Sequence, residues 1–341
     1  TKSGLHEVSY SELLGFGVDV SGEKVVDIAL MNQGKSLQIQ VTGSTANENV
    51  FGPGSYVRFI AEQVDTLYTD VNVYTLSSDS SNAERMRIDD SPVPKGASAN
   101  SYLASKAFSP QTKYSFTSPD KNDPWYAKRI VAVNKAISED ISMVLEDVSV
   151  GGNNGSTKAK LNVNLWGSTD LPGIKDDHSF KVSFNNKEVG SATFDGLNEK
   201  TLSANLDVVN DGQNIVKLTL PMDTGYAFDA VNLNSIEVKY PRKFIAIDGR
   251  LDFVSGFKKF RIMGFDERSM PNGANDLIVS RVNNDNVTLI RGSEVSCKRG
   301  TCRAFIPGAG AVAQYHVSAK GALHKPELVS LPIKQDIKSG Q

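Results

Sequence analysis

The sequence predicts an all-β protein made of tandem β-sandwich domains. Short runs of alternating or β-branched residues recur along the chain, and clusters of Gly, Asn, Asp and Pro separate them at spacings typical of sandwiches. Helical signals are weak. The predicted strands cover residues 25–30, 37–41, 56–60, 72–76, 141–145, 160–165, 180–184, 214–220, 235–240, 277–281 and 287–291.

Two short helices are the expected exceptions. Ser9 is a candidate N-cap for one or two helical turns over residues 9–14. Pro124 is placed to begin a second helix over residues 126–136, because proline is favoured in the first helical turn.

Composition excludes some classes of function. A length of 341 residues is typical of two to three domains, and 39% hydrophobic residues are enough for several cores. A net charge of −2 argues against nucleic acid or an anionic membrane as the main partner. No apolar run of about 18 residues is present, so no transmembrane helix is predicted. A signal peptide is absent at Thr1, as it would be in a mature chain.

Turn-rich stretches divide the chain into three predicted β domains and a tail. Residues 1–110 form an N-terminal β domain, and residues 112–242 form a β-sandwich that is jelly-roll-like, of the galactose-binding-like kind. Residues 243–325 form a small Ig-like sandwich that ends with a disulfide hairpin. Residues 326–341, with two prolines and four charged residues, are predicted to be an extended linker without a core of its own.

The two cysteines indicate a closed hairpin. Cys297 and Cys302 enclose four residues, and Gly300 lies where a tight turn needs a permissive backbone. A disulfide there implies an oxidising compartment, whereas the alternative is two free thiols on facing strands. Lys298, Arg299 and Arg303 make the hairpin basic, so it is a candidate loop for contact with an acidic cleft of a protease. The alternative is a solvated hairpin tip.

No set of residues for catalysis emerges from the sequence. The only cysteines are explained by the disulfide, and no G-x-S-x-G nucleophile elbow occurs. Asp177, His178 and Trp125 are candidates for a ligand-binding surface. A polar loop before a strand, and a partly buried core Trp, are the alternatives for them.

Calcium is the candidate cofactor. Asp120, Asn122 and Asp123 form an oxygen-rich stretch of the type from which hard cations take ligands. An Asx-rich turn without metal is the alternative.

A series of short motifs runs along the chain: Phe51-Gly52-Pro53-Gly54, residues 65–74, Asp123-Pro124-Trp125-Tyr126, Asp177-His178, Phe194-Asp195-Gly196 and Tyr240-Pro241-Arg242. Together they resemble the amino-terminal region of gingipain-like cysteine peptidases of family C25. The similarity runs from about Gly4 to the carboxyl end, and it departs from the usual sequence of that family at Ser55, where an acidic residue is usual, and at Thr75, where a Trp is usual. It rests on moderate motifs and on no catalytic signature.

The resemblance implies a secreted or cell-surface bacterial protein. In such peptidases the caspase-like domain with the catalytic Cys-His pair comes after the β region, so no residue of this chain inherits a catalytic role. The partner implied is that cysteine peptidase domain of the same polypeptide, on which the β region packs as a pro-region or accessory region. Two other hypotheses remain open: a carbohydrate-binding or adhesive module assisted by calcium, and a free-standing enzyme of unrecognised type.

Overall fold

The computed structural model describes residues 2–64, 66, 69–119, 124–150 and 158–329. Strands in stacked sheets make up nearly all of its regular structure, which confirms the predicted all-β class of tandem sandwiches. The chain divides into two compact units. Unit 1 contains Thr1–Ser98 and Ile245–Gln341, and unit 2 contains Ala99–Phe244. No helix of the described residues is long and apolar enough to cross a membrane.

The amino-terminal part of unit 1 begins with β1 (Gly4–Ser9) and the helix α1 (Tyr10–Gly15). Ser9 caps this helix as predicted: its Oγ accepts a hydrogen bond from the Glu12 amide, and a Glu12 carboxylate oxygen accepts one from the Ser9 amide at 2.7 Å. The next strands are β2 (Ile28–Asn32), β3 (Lys35–Ser36), β4 (Gln38–Val41), β5 (Tyr56–Ala61), β6 (Tyr74–Ser78), β7 (Glu84–Arg85) and β8 (Arg87–Asp89). They pair in the orders β1-β5-β4-β7 and β3-β2-β6.

Unit 2 is one sandwich of two main sheets with a two-stranded ribbon. Its strands are β9 (Ser101–Phe108), β10 (Lys113–Tyr114), β11 (Trp125–Tyr126), β12 (Lys128–Val133), β13 (Ile137–Leu145), β14 (Ala159–Gly167), β15 (His178–Phe184), β16 (Lys187–Phe194), β17 (Glu199–Leu206), β18 (Gly212–Leu220) and β19 (Phe228–Lys243). One sheet has the order β12-β19-β14-β17 with β9 also paired to β19, and the other has the order β13-β18-β15-β16. Strands β10 and β11 form the ribbon.

The core of unit 2 explains its alternating sequence. Residues at every second position, such as Leu161, Val163 and Leu165, are fully buried between the two sheets. The predicted helix over residues 126–136 is wrong for the same reason. Ile130 and Ala132 face the core while their neighbours are exposed, which is the two-residue period of strand β12 and not a helical period.

A buried asparagine holds the turn that leads into β18. The Oδ1 atom of Asn214 accepts hydrogen bonds from the Asn210 amide and from the side chain of Asn185, both at 2.9 Å. Its Nδ2 donates to the carbonyls of Asn210 and Gly212. The side chain thereby satisfies main-chain groups that the turn leaves without a partner in the ladder.

The carboxyl-terminal part of unit 1 adds β20 (Arg250–Ser255), β21 (Lys259–Asp266), β22 (Leu277–Asn283), β23 (Asn286–Ile290), β24 (Glu294–Lys298), β25 (Thr301–Pro307) and β26 (Ala313–Ala319). The sheets have the orders β20-β26-β22-β23-β8 and β21-β25-β24. Phe253, Phe260 and Tyr315 pack against one another between them, with ring centroids 4.8–5.0 Å apart. Four short 3₁₀ turns, Val25–Asp27, Glu267–Ser269, Gly273–Asp276 and Lys320–Ala322, complete the regular structure described.

The structure groups the predicted blocks 1–110 and 243–325 differently from the sequence-based division. Strand β8 pairs in parallel with β23, about two hundred residues later, and the Val287 amide donates to the side chain of Gln38 at 2.7 Å. The chain also closes on itself, because the Glu7 amide donates to the His324 carbonyl and the His324 amide donates to the Leu5 carbonyl. Such long-range pairing leaves no local signal in the sequence. Most of the predicted linker, residues 330–341, lies outside the described residues, and Leu328 packs against the amino-terminal core.

Candidate functional site

The predicted disulfide hairpin is present in unit 1. Cys297 and Cys302 lie directly opposite each other on β24 and β25 and are joined by a disulfide bond. Arg299 and Gly300 form the tip with φ values of 55° and 84°, a left-handed pair that favours glycine. The tip is held in place because the Gly300 amide donates to a carboxylate oxygen of Glu267 at 2.9 Å.

The hairpin belongs to a three-stranded sheet whose outer side is basic. Cys302, Ala304 and Ile306 point into the core, so the alternate residues of β25 point outward. Pairing brings Arg303 opposite Ser296 and brings Phe305 opposite Arg261. Glu294 of β24, which pairs with Phe305, is also exposed on this side. We call the outward residues Lys259, Arg261, Lys298, Arg303 and Phe305, whose four cations outnumber this one carboxylate, the basic face.

Phe305 lies among the cations of this face. The Lys259 Nζ atom is 5.2 Å from the centroid of the Phe305 ring, and the Arg303 guanidinium carbon is 5.8 Å from it. Both distances are within the range of cation–π attraction. The aromatic ring therefore helps two like charges to share a small area.

The cations of the basic face form no ion pair within the described part of the chain. No carboxylate of the described residues lies within 4.0 Å of Lys259, Arg261, Lys298 or Arg303. The whole chain carries a net charge of −2, so the basic face is a local feature and not a result of overall composition. Lys298, Arg299 and Arg303 are all exposed. Their contact with a protease stays a prediction.

The second predicted site, Asp177 and His178, lies inside unit 2 and not on a surface. Both side chains are fully buried. The His178 Nδ1 atom is 2.7 Å from Oδ1 of Asp229, and its Nε2 atom is 3.1 Å from the Thr169 carbonyl oxygen. Both partners only accept hydrogen bonds, so both ring nitrogens donate and the ring is an imidazolium.

Electrostatics agree with that assignment. Burial by itself lowers the pKa of His178, but the hydrogen bond to Asp229 and the charges of Asp229 and Asp177 outweigh it and raise this pKa above its ordinary value. Asp177 is itself satisfied, because it accepts from the amides of Gly196 at 2.7 Å and Leu171 at 3.1 Å. The cluster thus ties two loops to the sandwich, and no substrate can reach it in this conformation.

Asp229 is the member of this cluster that the sequence did not reveal. It lies 51 residues after His178, in the otherwise apolar start of β19, and it also accepts from the Ser179 amide. A lone carboxylate within an apolar strand is the only signal that would have indicated it, because a buried charge needs a partner.

Trp125 is half buried on the ribbon of unit 2, where its ring meets Tyr114 edge to face at 5.6 Å. The structure does not bring it together with Asp177 and His178 by any contact described. The calcium candidates Asp120, Asn122 and Asp123 lie outside the described residues, so calcium binding there stays a prediction. The residues that are described contain no group of three or more His, Cys, Asp or Glu side chains that could hold a metal ion.

No family model matches this sequence, and no curated protein matches it significantly. Among solved structures, dimeric latent PorU from Porphyromonas gingivalis is similar, with a TM-score of 0.62 and 14% identity. The match covers 96% of this chain and 32% of the PorU chain, so this chain spans about a third of that protein. At this identity the likeness shows a shared fold.

Two carbohydrate-binding modules match parts of the chain. The CBM36-1 domain of a multidomain xylanase from the hindgut metagenome of Trinervitermes trinervoides matches with a TM-score of 0.27 and 10% identity over 40% of this chain and 96% of its own. TmCBM61, solved with β-1,4-galactotriose, matches with a TM-score of 0.23 and 14% identity over 40% of this chain and 81% of its own. These scores are too low to support an argument.

Proposed function

We propose that this chain is a non-catalytic β region of a secreted bacterial, gingipain-like cysteine peptidase, and that it packs on the peptidase domain of the same polypeptide and restrains it. The observation that carries the proposal is the basic face of unit 1. It combines exposed cations that have no carboxylate partner in the described chain with a central aromatic ring.

The physical properties of this face suit a protein interface. Arginine and aromatic side chains are enriched at interfaces and dominate their binding energy. The disulfide and the Glu267 contact hold the hairpin in one conformation, so little entropy is lost when it docks. Charge complementarity then requires an acidic surface on the peptidase domain, and it would increase the rate of association.

Two further observations support the proposal. The fold extends over 96% of this chain in the structure of dimeric latent PorU, and the latency of that protein fits a restraining role for a region of this fold. The disulfide agrees with a location outside the bacterial cytoplasm, because disulfides persist in oxidising compartments.

The test is inhibition in trans. The chain is added at micromolar excess to a purified gingipain-like catalytic domain, and hydrolysis of a fluorogenic peptide is followed. We expect slower hydrolysis with the native chain, and an inhibition constant raised about tenfold or more by the double variant Arg261→Glu, Arg303→Glu, since each lost interfacial charge contact costs over 1 kcal/mol.

The matched control is Lys35→Glu, which reverses an exposed lysine on strand β3 of the same unit but away from the basic face. It should inhibit like the native chain. Unchanged hydrolysis together with no binding in calorimetry would refute packing on the peptidase. Binding without slower hydrolysis would refute the restraint of the peptidase but not the packing on it.

A further inference from the structure

The outer side of the β9-β19-β14-β17 sheet in unit 2 carries a row of short polar side chains. Leu161, Val163 and Ile236 point into the core, so Asn162, Asn164 and the alternate residues of β19 point outward. Cross-strand pairing aligns these residues across the sheet. We call this set the polar ladder; its members are Ser105, Asn162, Asn164, Thr201, Ser203 and Glu237.

Hydrogen bonds join the ladder across four strands. Ser203 donates to Oδ1 of Asn162 at 2.8 Å, Asn162 Nδ2 donates to Glu237 at 3.2 Å, and Ser105 donates to the other oxygen of Glu237 at 2.6 Å. In the next row, Asn164 Nδ2 donates to the Thr201 hydroxyl at 2.9 Å and to the Glu199 carboxylate, and its Oδ1 accepts from Asn234 at 3.0 Å. The side chains are therefore held in defined orientations before any ligand arrives.

The ladder keeps free hydrogen-bonding capacity. The Thr201 hydroxyl accepts from Asn164 and can still donate, and the Asn162 amide group has a second N–H. Each oxygen of Glu237 accepts one bond from the ladder, and Oε1 also lies 3.6 Å from the Lys239 ammonium, so the free acceptor site is on Oε2. The hydrogen bond from Ser105 lowers the pKa of Glu237, and Asn162 and Lys239 lower it further. Together they outweigh burial, which raises this pKa, so the side chain is an ionised acceptor at neutral pH.

An aromatic ribbon flanks the ladder. Tyr126 of the ribbon packs edge to face on Trp166, the outward residue of β14 that follows Asn164, with ring centroids 5.7 Å apart. Arg129 lies in the same cross-strand row as Trp166, because both pair with Asn232. It donates a hydrogen bond to the hydroxyl of Ser115, the residue that follows ribbon strand β10, at 3.5 Å. Tyr114 is 60% exposed on this ribbon, beside half-buried Trp125.

We infer that the polar ladder and the ribbon form a binding site for a neutral glycan chain. Sugar hydroxyls both donate and accept, which matches the mixed amide, hydroxyl and carboxylate groups of the ladder. Aromatic rings such as Tyr114 supply an apolar contact with a polar edge, which suits the mixed faces of a sugar ring. A strip that crosses four strands about 4.8 Å apart extends over about 14 Å, enough for several sugar units.

The ladder chemistry favours a neutral ligand over a polyanion. Two carboxylates, Glu199 and Glu237, and two ammonium groups, Lys160 and Lys239, share this face, and Lys239 lies 3.6 Å from Glu237. The charges balance, so the face offers an anionic chain no net attraction, whereas Glu237 accepts hydrogen bonds from neutral hydroxyls. This inference concerns unit 2 and is independent of the basic face in unit 1.

The test is affinity electrophoresis of the full chain in gels that contain β-1,4-xylan, β-1,4-galactan, β-1,4-mannan or, as the polyanion, polygalacturonate. We expect retardation by at least one neutral polysaccharide. The double variant Asn162→Ala, Thr201→Val should bind that polysaccharide about a hundredfold more weakly, since each lost polar group removes a hydrogen bond worth about a factor of ten. Tyr114→Ala should weaken binding as well.

The matched control is Ser138→Ala, which removes a similar exposed cross-strand hydroxyl contact, Ser138 to Thr219 at 2.8 Å, from the outer side of the other sheet. Its binding should equal that of the native chain, and thermal melting identifies any variant that fails to fold. Because Tyr114 lies on the ribbon and not in a main sheet, its variant tests the site even if the ladder variant unfolds. The inference would be overturned if no neutral polysaccharide retards the chain or if polygalacturonate alone does. It would also be overturned if folded site variants bind as well as the native chain.

Discussion

The Nδ1 atom of His178 lies 2.7 Å from Oδ1 of Asp229, and neither side chain is exposed to solvent. The other ring nitrogen donates to the Thr169 carbonyl, so the histidine is a buried cation between two acceptors. A charge in this position is tolerated only because Asp229 and Asp177 compensate it. His178, which the sequence indicated as a candidate for a ligand-binding surface, is thus a buried structural residue.

Removal of the buried cation should destabilise unit 2. We expect His178→Gln to lower the free energy of unfolding by about 3–5 kcal/mol, because it leaves two buried carboxylates without their positive partner. Urea denaturation at pH 6 measures this loss. A change below about 1 kcal/mol would show that His178 is neutral in the folded protein.

The same histidine should make stability depend on pH. Because its pKa is raised in the folded state, its contribution is fully present below the unfolded value of about 6.5 and is lost as the pH rises through the folded pKa. His6 and His324 act in the opposite direction and at lower pH, since burial lowers the pKa of each. Denaturation curves from pH 6 to 9 should therefore show a decline that His178→Gln abolishes.

Gly167 is a position where only glycine fits. A Cβ atom there would collide with the Gly196 carbonyl oxygen and with the His178 ring, and neither can move without breaking the buried cluster. We expect Gly167→Ala to lower the free energy of unfolding by about 2–3 kcal/mol. Gly321→Ala is the control, because a Cβ atom at Gly321 would meet nothing within 4 Å. Equal melting temperatures for the two variants would contradict the packing described.

The disulfide should contribute modestly to stability. It closes a loop of only a few residues, for which the chain-entropy model gives about 2 kcal/mol. Cys297→Ala, Cys302→Ala should lower the free energy of unfolding of unit 1 by about that amount, and dithiothreitol should do the same to the native chain. Thiol titration of the native protein should find no free thiol in this pair. A reactive thiol without reductant would contradict the pairing.

Buried and exposed ion pairs should differ in their effect. The guanidinium of Arg58 is 3% exposed, bonds to Glu7 at 2.8 Å and stacks on the Tyr56 ring at 3.9 Å. Arg58→Met should cost about 3 kcal/mol in the free energy of unfolding. Lys187→Met breaks an exposed pair with Asp207 and should leave the free energy of unfolding nearly unchanged, because solvent screens both charges. Similar costs in denaturant titrations would refute this ranking.

The strand pattern of unit 2 could be predicted from the sequence, whereas several local assignments could not. The runs at 160–165, 180–184 and 214–220 lie within β14, β15 and β18, because burial at alternate positions requires alternating apolar residues. The helix expected after Pro124 is a strand, because proline is also accepted at the start of a strand. Lys259, Arg261 and Phe305 of the basic face were missed, since they join Arg303 only through cross-strand pairing.

The all-β class, the cap at Ser9 and the cystine hairpin could be read from the amino-acid order, because each depends on residues that are near one another in the chain. Only folding brings together segments that are far apart in the chain: β8 with β23, His178 with Asp229, and the four strands of the polar ladder. Local patterns specify which face of a strand is buried, but the choice of neighbouring strand depends on the packing of the whole sandwich, which no short segment encodes.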